Sequence, residues 1–283
     1  MSKLYVVSTP IGNLGDITVR AVQTLKAVSR ILAEDTRHTA TLLRRHGIET
    51  PMVSAHEHNE AARAEQAMQW LAGGEDLALV ADAGTPLISD PGLRLVRAAI
   101  AAGHDVVPVP GASALLAALV GSGIDPQPFT FLGFPPRSGR GRDDVLGRVA
   151  SLDHAAVFYE APGRLAKLLE DLLERCGPDR VVTVARELTK VHETFVRGTL
   201  AETIAMYDGR SIRGEVVVIV AGAPAADVHD VRVEANTLAR SLLREGATPS
   251  RVARRLCDVL GIARNEAYAI ALSASAEMEG EVD

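Results

Sequence analysis

Charged side chains gather directly after two apolar runs. Glu34-Asp35-Thr36-Arg37 follows Arg30 to Ala33, and Arg186-Glu187-Leu188-Thr189-Lys190 follows Arg180 to Ala185. A carboxylate, or an amine held neutral, can take a proton from a substrate, and the basic members can hold an anion. Glu34, Asp35, Glu187 and Lys190 are therefore candidate acid–base groups, with His192 behind them. Ion pairing of Asp35 with Arg37 and of Glu187 with Lys190 is the competing reading.

Other loops offer backbone rather than side chains. Ala81-Asp82-Ala83-Gly84-Thr85-Pro86-Leu87-Ile88-Ser89-Asp90-Pro91-Gly92 follows the apolar run Leu77 to Val80. Ser8-Thr9-Pro10-Ile11-Gly12-Asn13-Leu14-Gly15-Asp16 follows Leu4 to Val7, and Pro110-Gly111-Ala112-Ser113-Ala114 follows Asp105 to Val109. Glycine and proline there let the main chain approach a ligand and hold it. Phe158-Tyr159-Glu160-Ala161-Pro162 and Arg213-Gly214-Glu215 flank two further strand-like runs. Small-residue loops at successive strand ends predict a shared small-molecule pocket built largely from main chain. Neither G-x-G-x-x-G nor a Walker lysine is present. His56-Glu57-His58 lacks a third ligand at a recognised spacing, so no metal is expected.

The elements that must position these loops alternate between strand and helix. Leu4–Val7, Arg30–Ala33, Leu77–Ala81 and Asp105–Val109 read as strands, interleaved with helices, and predict a mainly parallel α/β domain over residues 1–122. A second α/β domain over 123–223 follows the glycine- and proline-rich stretch 121–128, with strands at Phe129–Leu132, Ala155–Tyr159, Arg180–Ala185 and Glu215–Ala221. Residues 224–230 read as a linker, and 232–275 as a small helical region.

Hydrophobic residues make up 47% of the 283, enough for a sizeable core. With 36 acidic and 30 basic residues the formal charge is −6, which argues against a generally cationic nucleic-acid binder but not against local patches. Arg137, Arg140, Arg142 and Arg148 read as a flexible arginine loop, where the choice is between phosphate contact and a mobile solvated segment. Arg251, Arg254 and Arg255 lie in a helix-turn-helix outline running through Gly261-Ile262, where the choice is between nucleic-acid contact and mere packing. Two distant cysteines, no signal-peptide pattern and no apolar run long enough to span a bilayer predict a cytoplasmic protein with no membrane partner.

Taken together, the 9–16, 34–37, 82–92, 110–114, 158–162, 186–190 and 213–215 segments resemble, in order and spacing, the small-subunit ribosomal RNA methyltransferase I family of the tetrapyrrole methylase superfamily. The resemblance covers residues 4–222 and, more loosely, the helical tail. It implies two α/β domains of the class III methyltransferase type, with S-adenosylmethionine in the cleft between them, usually in a homodimer. It also implies 2′-O-methylation of a cytidine ribose in the decoding region of small-subunit ribosomal RNA. Matched to the superfamily pattern, Pro10, Gly84, Ile88, Ser113, Ala114, Glu160, Leu188 and Gly214 would line the cofactor. On chemical grounds Lys190, Asp35 and Glu187 are the catalytic candidates, with Lys190 or Asp35 expected nearest the acceptor oxygen. Arg37, Arg137, Arg140, Arg142, Arg251, Arg254 and Arg255 would meet RNA, either free or in an assembled small subunit. Tetrapyrrole enzymes carry Gly-Asp-Pro where this chain has Gly84-Thr85-Pro86, which favours the RNA branch over a precorrin-type methyltransferase. A non-enzymatic RNA-binding factor with a nucleoside pocket is the third reading.

Overall fold

The computed structural model describes residues 2–224, 228–260 and 263–280. Residues up to Gly222 form one compact unit, and those from Ala223 form a second.

The first lobe is built on five strands, β1 (Lys3–Val7), β2 (Arg30–Ala33), β3 (Met52–Ser54), β4 (Leu77–Val80) and β5 (Asp105–Val109). Their order is β3-β2-β4-β1-β5, and every pairing is parallel. Helices α1 (Val19–Ala27), α2 (Thr36–Arg45), α3 (Glu60–Ala72), α4 (Leu93–Ala101) and α5 (Ala114–Ser122) connect or follow them. Side chains on a strand alternate between faces, so one strand can feed two cores. In β4, Ala78 and Val80 join Leu25, Ile31 and Leu43 on one face, while Leu77 and Leu79 join Leu71, Leu95 and Ala99 on the other.

The second lobe has β6 (Phe129–Phe131), β7 (Ala155–Glu160), β8 (Val181–Arg186), β9 (Thr194–Thr199) and β10 (Val216–Val220), in the order β6-β7-β10-β8-β9. Only β6 and β7 pair in parallel; β10 runs antiparallel to β7 and β8, and β8 antiparallel to β9. On one face Phe158, Val184 and Val218 pack with Leu146 of α6 (Arg140–Ser151), Leu168 of α7 (Leu165–Cys176) and Leu200 of α8 (Leu200–Tyr207). On the opposite face Val157, Ala185, Val217 and Ile219 meet Ala118 and Leu119, which belong to α5 of the first lobe, together with Ile11. The two lobes therefore share a core, into which the first lobe sends α5 and Ile11.

The stretch expected to be an arginine-rich loop is helical from Arg140 onward. Gly139, at φ 80, ends the preceding turn, and Leu146 and Val149 supply a buried stripe that outweighs the low helix propensity of Gly141 and Gly147.

The second unit comprises α9 (Val228–Arg244), α10 (Pro249–Leu260) and α11 (Arg264–Gly280). They pack on one another around Ala235, Ala239, Val252, Leu256, Ile270 and Ala271. Residues 225–227 of the expected linker and Gly261-Ile262 of the helix-turn-helix outline lie outside the described residues. Among the described residues no helix is long and apolar enough to cross a membrane, and no three His, Cys, Asp or Glu side chains gather as a metal site requires.

Candidate active site

Three strand-end loops of the first lobe are tied to one another. Thr9 and Gly84 exchange backbone hydrogen bonds, Thr9 N donating to Gly84 O (2.8 Å) and Gly84 N to Thr9 O (3.0 Å). The Ser8 and Thr85 hydroxyls are 3.0 Å apart, and Thr85 Oγ1 donates to Ala112 O (3.2 Å). This lacing fixes the carboxyl ends of β1, β4 and β5, where an open α/β sheet binds ligands.

Loops of the second lobe close over these ends. Gly12 faces the 188–190 loop so closely that a Cβ would stand 2.5 Å from Lys190 Cγ and 2.8 Å from Thr189 Oγ1. Tyr159, at the end of β7, accepts a hydrogen bond from Leu115 N in the first turn of α5 (3.1 Å). Its ring lies between Phe131 and Phe134, with centroids 4.9 and 5.6 Å away. Tyr159→Phe leaves the Leu115 amide unpaired and is expected to cost about 1–2 kcal/mol, read from chemical denaturation.

Between the lobes lies a cavity of about 300 Å³. Gly84, Ile88, Ser113, Ala114, Glu160 and Gly214 line it, six positions drawn from both lobes. Pro10 instead lines a neighbouring hollow of about 140 Å³ with His38, Thr39 and Asp82. Leu188 is absent from the cavity wall and sits in the shared apolar core. The lining is mostly apolar and small, with polar groups at a few points, as small-molecule sites require.

Glu160 is the sharpest of those points. It is 2% exposed, and its Oε1 accepts from Ala161 N (2.8 Å) and pairs with Arg164 Nε (3.1 Å). Its Oε2 is buried with no hydrogen-bond partner. Burial raises its pKa above the usual carboxylate value. An acceptor left unsatisfied in a cavity wall is costly unless a ligand donates to it.

The acid–base candidates occupy different settings. Asp35 caps α2, receiving Arg37 N (2.8 Å) and pairing with Arg37 Nη2 (2.9 Å); that partner holds its pKa down to about 2. It lines neither cavity. Lys190 Nζ is 2.9 Å from Glu187 Oε1 and 3.3 Å from Glu215 Oε2. Burial opposes its charge, yet the two carboxylates raise its pKa above the ordinary lysine value, so the neutral amine a base requires is disfavoured. Glu187 is held below its usual range by Lys190 and by the Glu215 amide, whose N–H donates to Oε1 (3.0 Å). Ion pairing thus accounts for Asp35, Glu187 and Lys190. His192 also lies off the cavity wall.

A carboxylate without an assigned role in the sequence reading, Asp90, does line the cavity. Burial, then Glu34 and Asp82, push its pKa up to about 7. Glu34 is itself raised by burial and by Asp82. The available signal was a lone acid between Ser89 and Pro91 in a strand-end loop. What it could not show is that Leu87 and Ser89 adopt left-handed backbone, at φ 74 and 73, which is rare for a bulky residue and clusters at functional sites.

The expected RNA-binding arginines also divide. Arg37, Arg137 and Arg140 are exposed. Arg251, Arg254 and Arg255 are exposed around a hollow of about 430 Å³ on the helical unit. Arg142 corrects the expectation: its side chain is 7% exposed and salt-bridged to Asp171 (2.7 Å), with Nη1 donating to Pro136 O (3.0 Å). The helix that replaced the expected loop turns it inward.

A parallel-sheet lobe and a mixed-sheet lobe joined through α5, with a main-chain-rich cavity between them, define a class III methyltransferase of the tetrapyrrole methylase type. Residues 3–204 match the profile described as Tetrapyrrole (Corrin/Porphyrin) Methylases. In fold the chain is similar to uroporphyrin-III C-methyl transferase from Thermus thermophilus complexed with S-adenosyl homocysteine, at TM-score 0.56 and 21% identity, over 78% of this chain and 97% of that one. It is similar also to diphthine synthase, at TM-score 0.61 and 16% identity, over 78% and 90%. The sequence is 44% identical to ribosomal RNA small subunit methyltransferase I from Synechocystis sp., over 98% of this chain and all of that protein. It is 48% identical to the same-named protein of Xylella fastidiosa, over 94% and 97%, and 42% identical to that of Bacillus subtilis, over 95% and 93%. The chain belongs to the ribosomal RNA small subunit methyltransferase I family.

Proposed function

We propose that the chain methylates the 2′-hydroxyl of a cytidine ribose in the decoding region of small-subunit ribosomal RNA, with S-adenosylmethionine as donor. The observation that carries this reading is the interlobe cavity with the unsatisfied Glu160 Oε2 in its wall. The names of relatives at 42–48% identity supply the substrate class.

The residues present fit the donor. Backbone at Gly84, Ser113, Ala114 and Gly214, with the apolar Ile11, Ile88 and Val217, would hold its adenosyl and amino-acid parts. Glu160 Oε2 would accept from one of its hydroxyl or amino groups. Pro10 and Leu188 would act from behind this wall. Bound, S-adenosylmethionine supplies a methyl carbon made electrophilic by its sulfonium. The chain's own contribution is to orient that group, exclude water and present the acceptor oxygen in line, and such positioning supplies much of the acceleration.

Arg37, Arg137 and Arg140, with Arg251, Arg254 and Arg255, would meet phosphates. Methylation is then expected to fall as salt rises, and replacing Arg251, Arg254 and Arg255 by Glu to weaken RNA binding at least about tenfold while leaving donor affinity unchanged. Filter binding and calorimetry check the two halves separately. Assembly as a homodimer belongs to the same proposal. Exposed Leu116 and Val120, four residues apart on α5, and Val191, 95% exposed, support it; sedimentation reads it.

The deciding experiment incubates the protein with labelled S-adenosylmethionine and either naked small-subunit RNA or assembled subunits, then maps the labelled nucleotide. A 2′-O-methylcytidine in the decoding region is the expected product. Label on a porphyrinoid alone would select the tetrapyrrole reading, and RNA binding without label would select a non-enzymatic factor.

A further inference from the structure

Among the described groups lining the interlobe cavity, Asp90 is an ionisable side chain with neither a hydrogen bond nor an ion pair to hold it. The charged groups acting on it are both acids: Glu34, from the loop after β2, and Asp82, from the loop after β4. Tyr159 interacts with it from β7, its hydroxyl oxygen accepting from Leu115 N while its proton stays available to donate. The carboxylate lines the same cavity as Glu160, whose Oε2 is buried without a hydrogen-bond partner. Its place is set by the left-handed residues Leu87 and Ser89 on one side and by Pro91 on the other.

We propose that Asp90 is the base that receives the proton of the hydroxyl being methylated, with Glu34 and Asp82 tuning it. The assignment rests on the functional reading above. In the step, the acceptor oxygen gains a bond to the methyl carbon, and the electron pair of the broken carbon–sulfur bond stays with sulfur. The hydroxyl proton passes to a carboxylate oxygen of Asp90 and from there to water. Three observations favour Asp90 over the groups named from sequence. It lines the cavity, whereas Asp35 does not. It lacks the cation that engages Glu187. Its pKa of about 7 suits proton transfer at neutral pH, whereas Asp35 is held at about 2.

An acid whose pKa is higher folded than unfolded binds more protons when folded between those two values, so its contribution to stability falls as pH rises from about 4 to about 7. Asp90→Asn removes that fall. The variant is therefore expected to match wild type in melting temperature near pH 4.5 and to exceed it near pH 8, whatever the substrate. Donor affinity by calorimetry is expected to stay within about threefold of wild type, while methyl transfer to small subunits drops about 100- to 10,000-fold. The wild-type rate is expected to fall about tenfold per pH unit below pH 7 and to level off above it, which tests the assignment even if the variant does not fold. A wild-type rate flat down to pH 5, or a folded Asp90→Asn enzyme within about threefold of wild-type turnover, would overturn the assignment alone. Wild-type protein that methylates no RNA would instead overturn the functional reading on which it stands.

Discussion

Gly214→Ala is expected to cut turnover about 100-fold while leaving the protein folded. Gly214 lines the cavity at φ 87, and a Cβ there would stand 2.1 Å from Glu187 Oε1. An alanine in left-handed backbone costs about 1–2 kcal/mol, which a domain of this size tolerates. Contact at that distance is not tolerated, so Glu187 must move. That oxygen also receives Lys190 Nζ (2.9 Å) and Glu215 N (3.0 Å), so its displacement disturbs both the cavity wall at Glu215 and the 188–190 loop that lies against Gly12. Steady-state turnover and donor affinity measure the loss. Non-additivity supplies the control: in a Glu187→Ala background the obstacle is gone, and Gly214→Ala should add little beyond its backbone cost. Independent, additive losses would refute the wedge.

Arg142→Ala is expected to destabilise the protein by about 3–5 kcal/mol. Its guanidinium meets Asp171 at 2.7 Å, with side-chain exposures of 7% and 13%, and it donates to Pro136 O. Truncation strands a buried carboxylate, left with only Lys167 (2.9 Å), and an unpaired carbonyl. Arg140, two residues earlier, has a side chain 95% exposed and only a 4.0 Å contact with Asp144. Arg140→Glu should leave the urea midpoint within about 0.5 kcal/mol of wild type and weaken RNA binding instead. A wild-type denaturation midpoint for Arg142→Ala would restore it to the surface group.

Much of the fold was legible because the first sheet is buried on both faces. Leu77-Ala78-Leu79-Val80 is an unbroken apolar run, and a strand covered on two sides needs that pattern. Edge strands carry weaker marks. Met52–Ser54 is three residues long and follows a proline, and Thr194–Thr199 contains Arg197 and Gly198 with half-exposed neighbours, so neither reads as a strand. The antiparallel pairing of β8 with β9 was hidden with it.

At the site, residue type was readable and environment was not. Asp35, Glu187 and Lys190 are the right kinds of side chain for proton transfer, but each is matched by a counter-ion three residues away or fewer. The raised pKa of Asp90 arises from its burial and from Glu34, which arrives from another loop. Arg142 depends on Asp171, on the following helix. The local ion pairs could be anticipated from spacing, but the long-range neighbours of Asp90 and Arg142 are set by packing, and no spacing rule in the chain discloses them.

The helix α5 has a structural consequence of its own. It is the last element of the parallel half, yet Ala118 and Leu119 roof Val217 and Ile219 of the mixed half. A clamshell motion would tear open that greasy seam at every cycle, so exchange of reactant and product must proceed by local yielding of the rim. For the same reason a chain severed between residues 122 and 123 should give two sticky fragments, each lacking a surface that only the other provides.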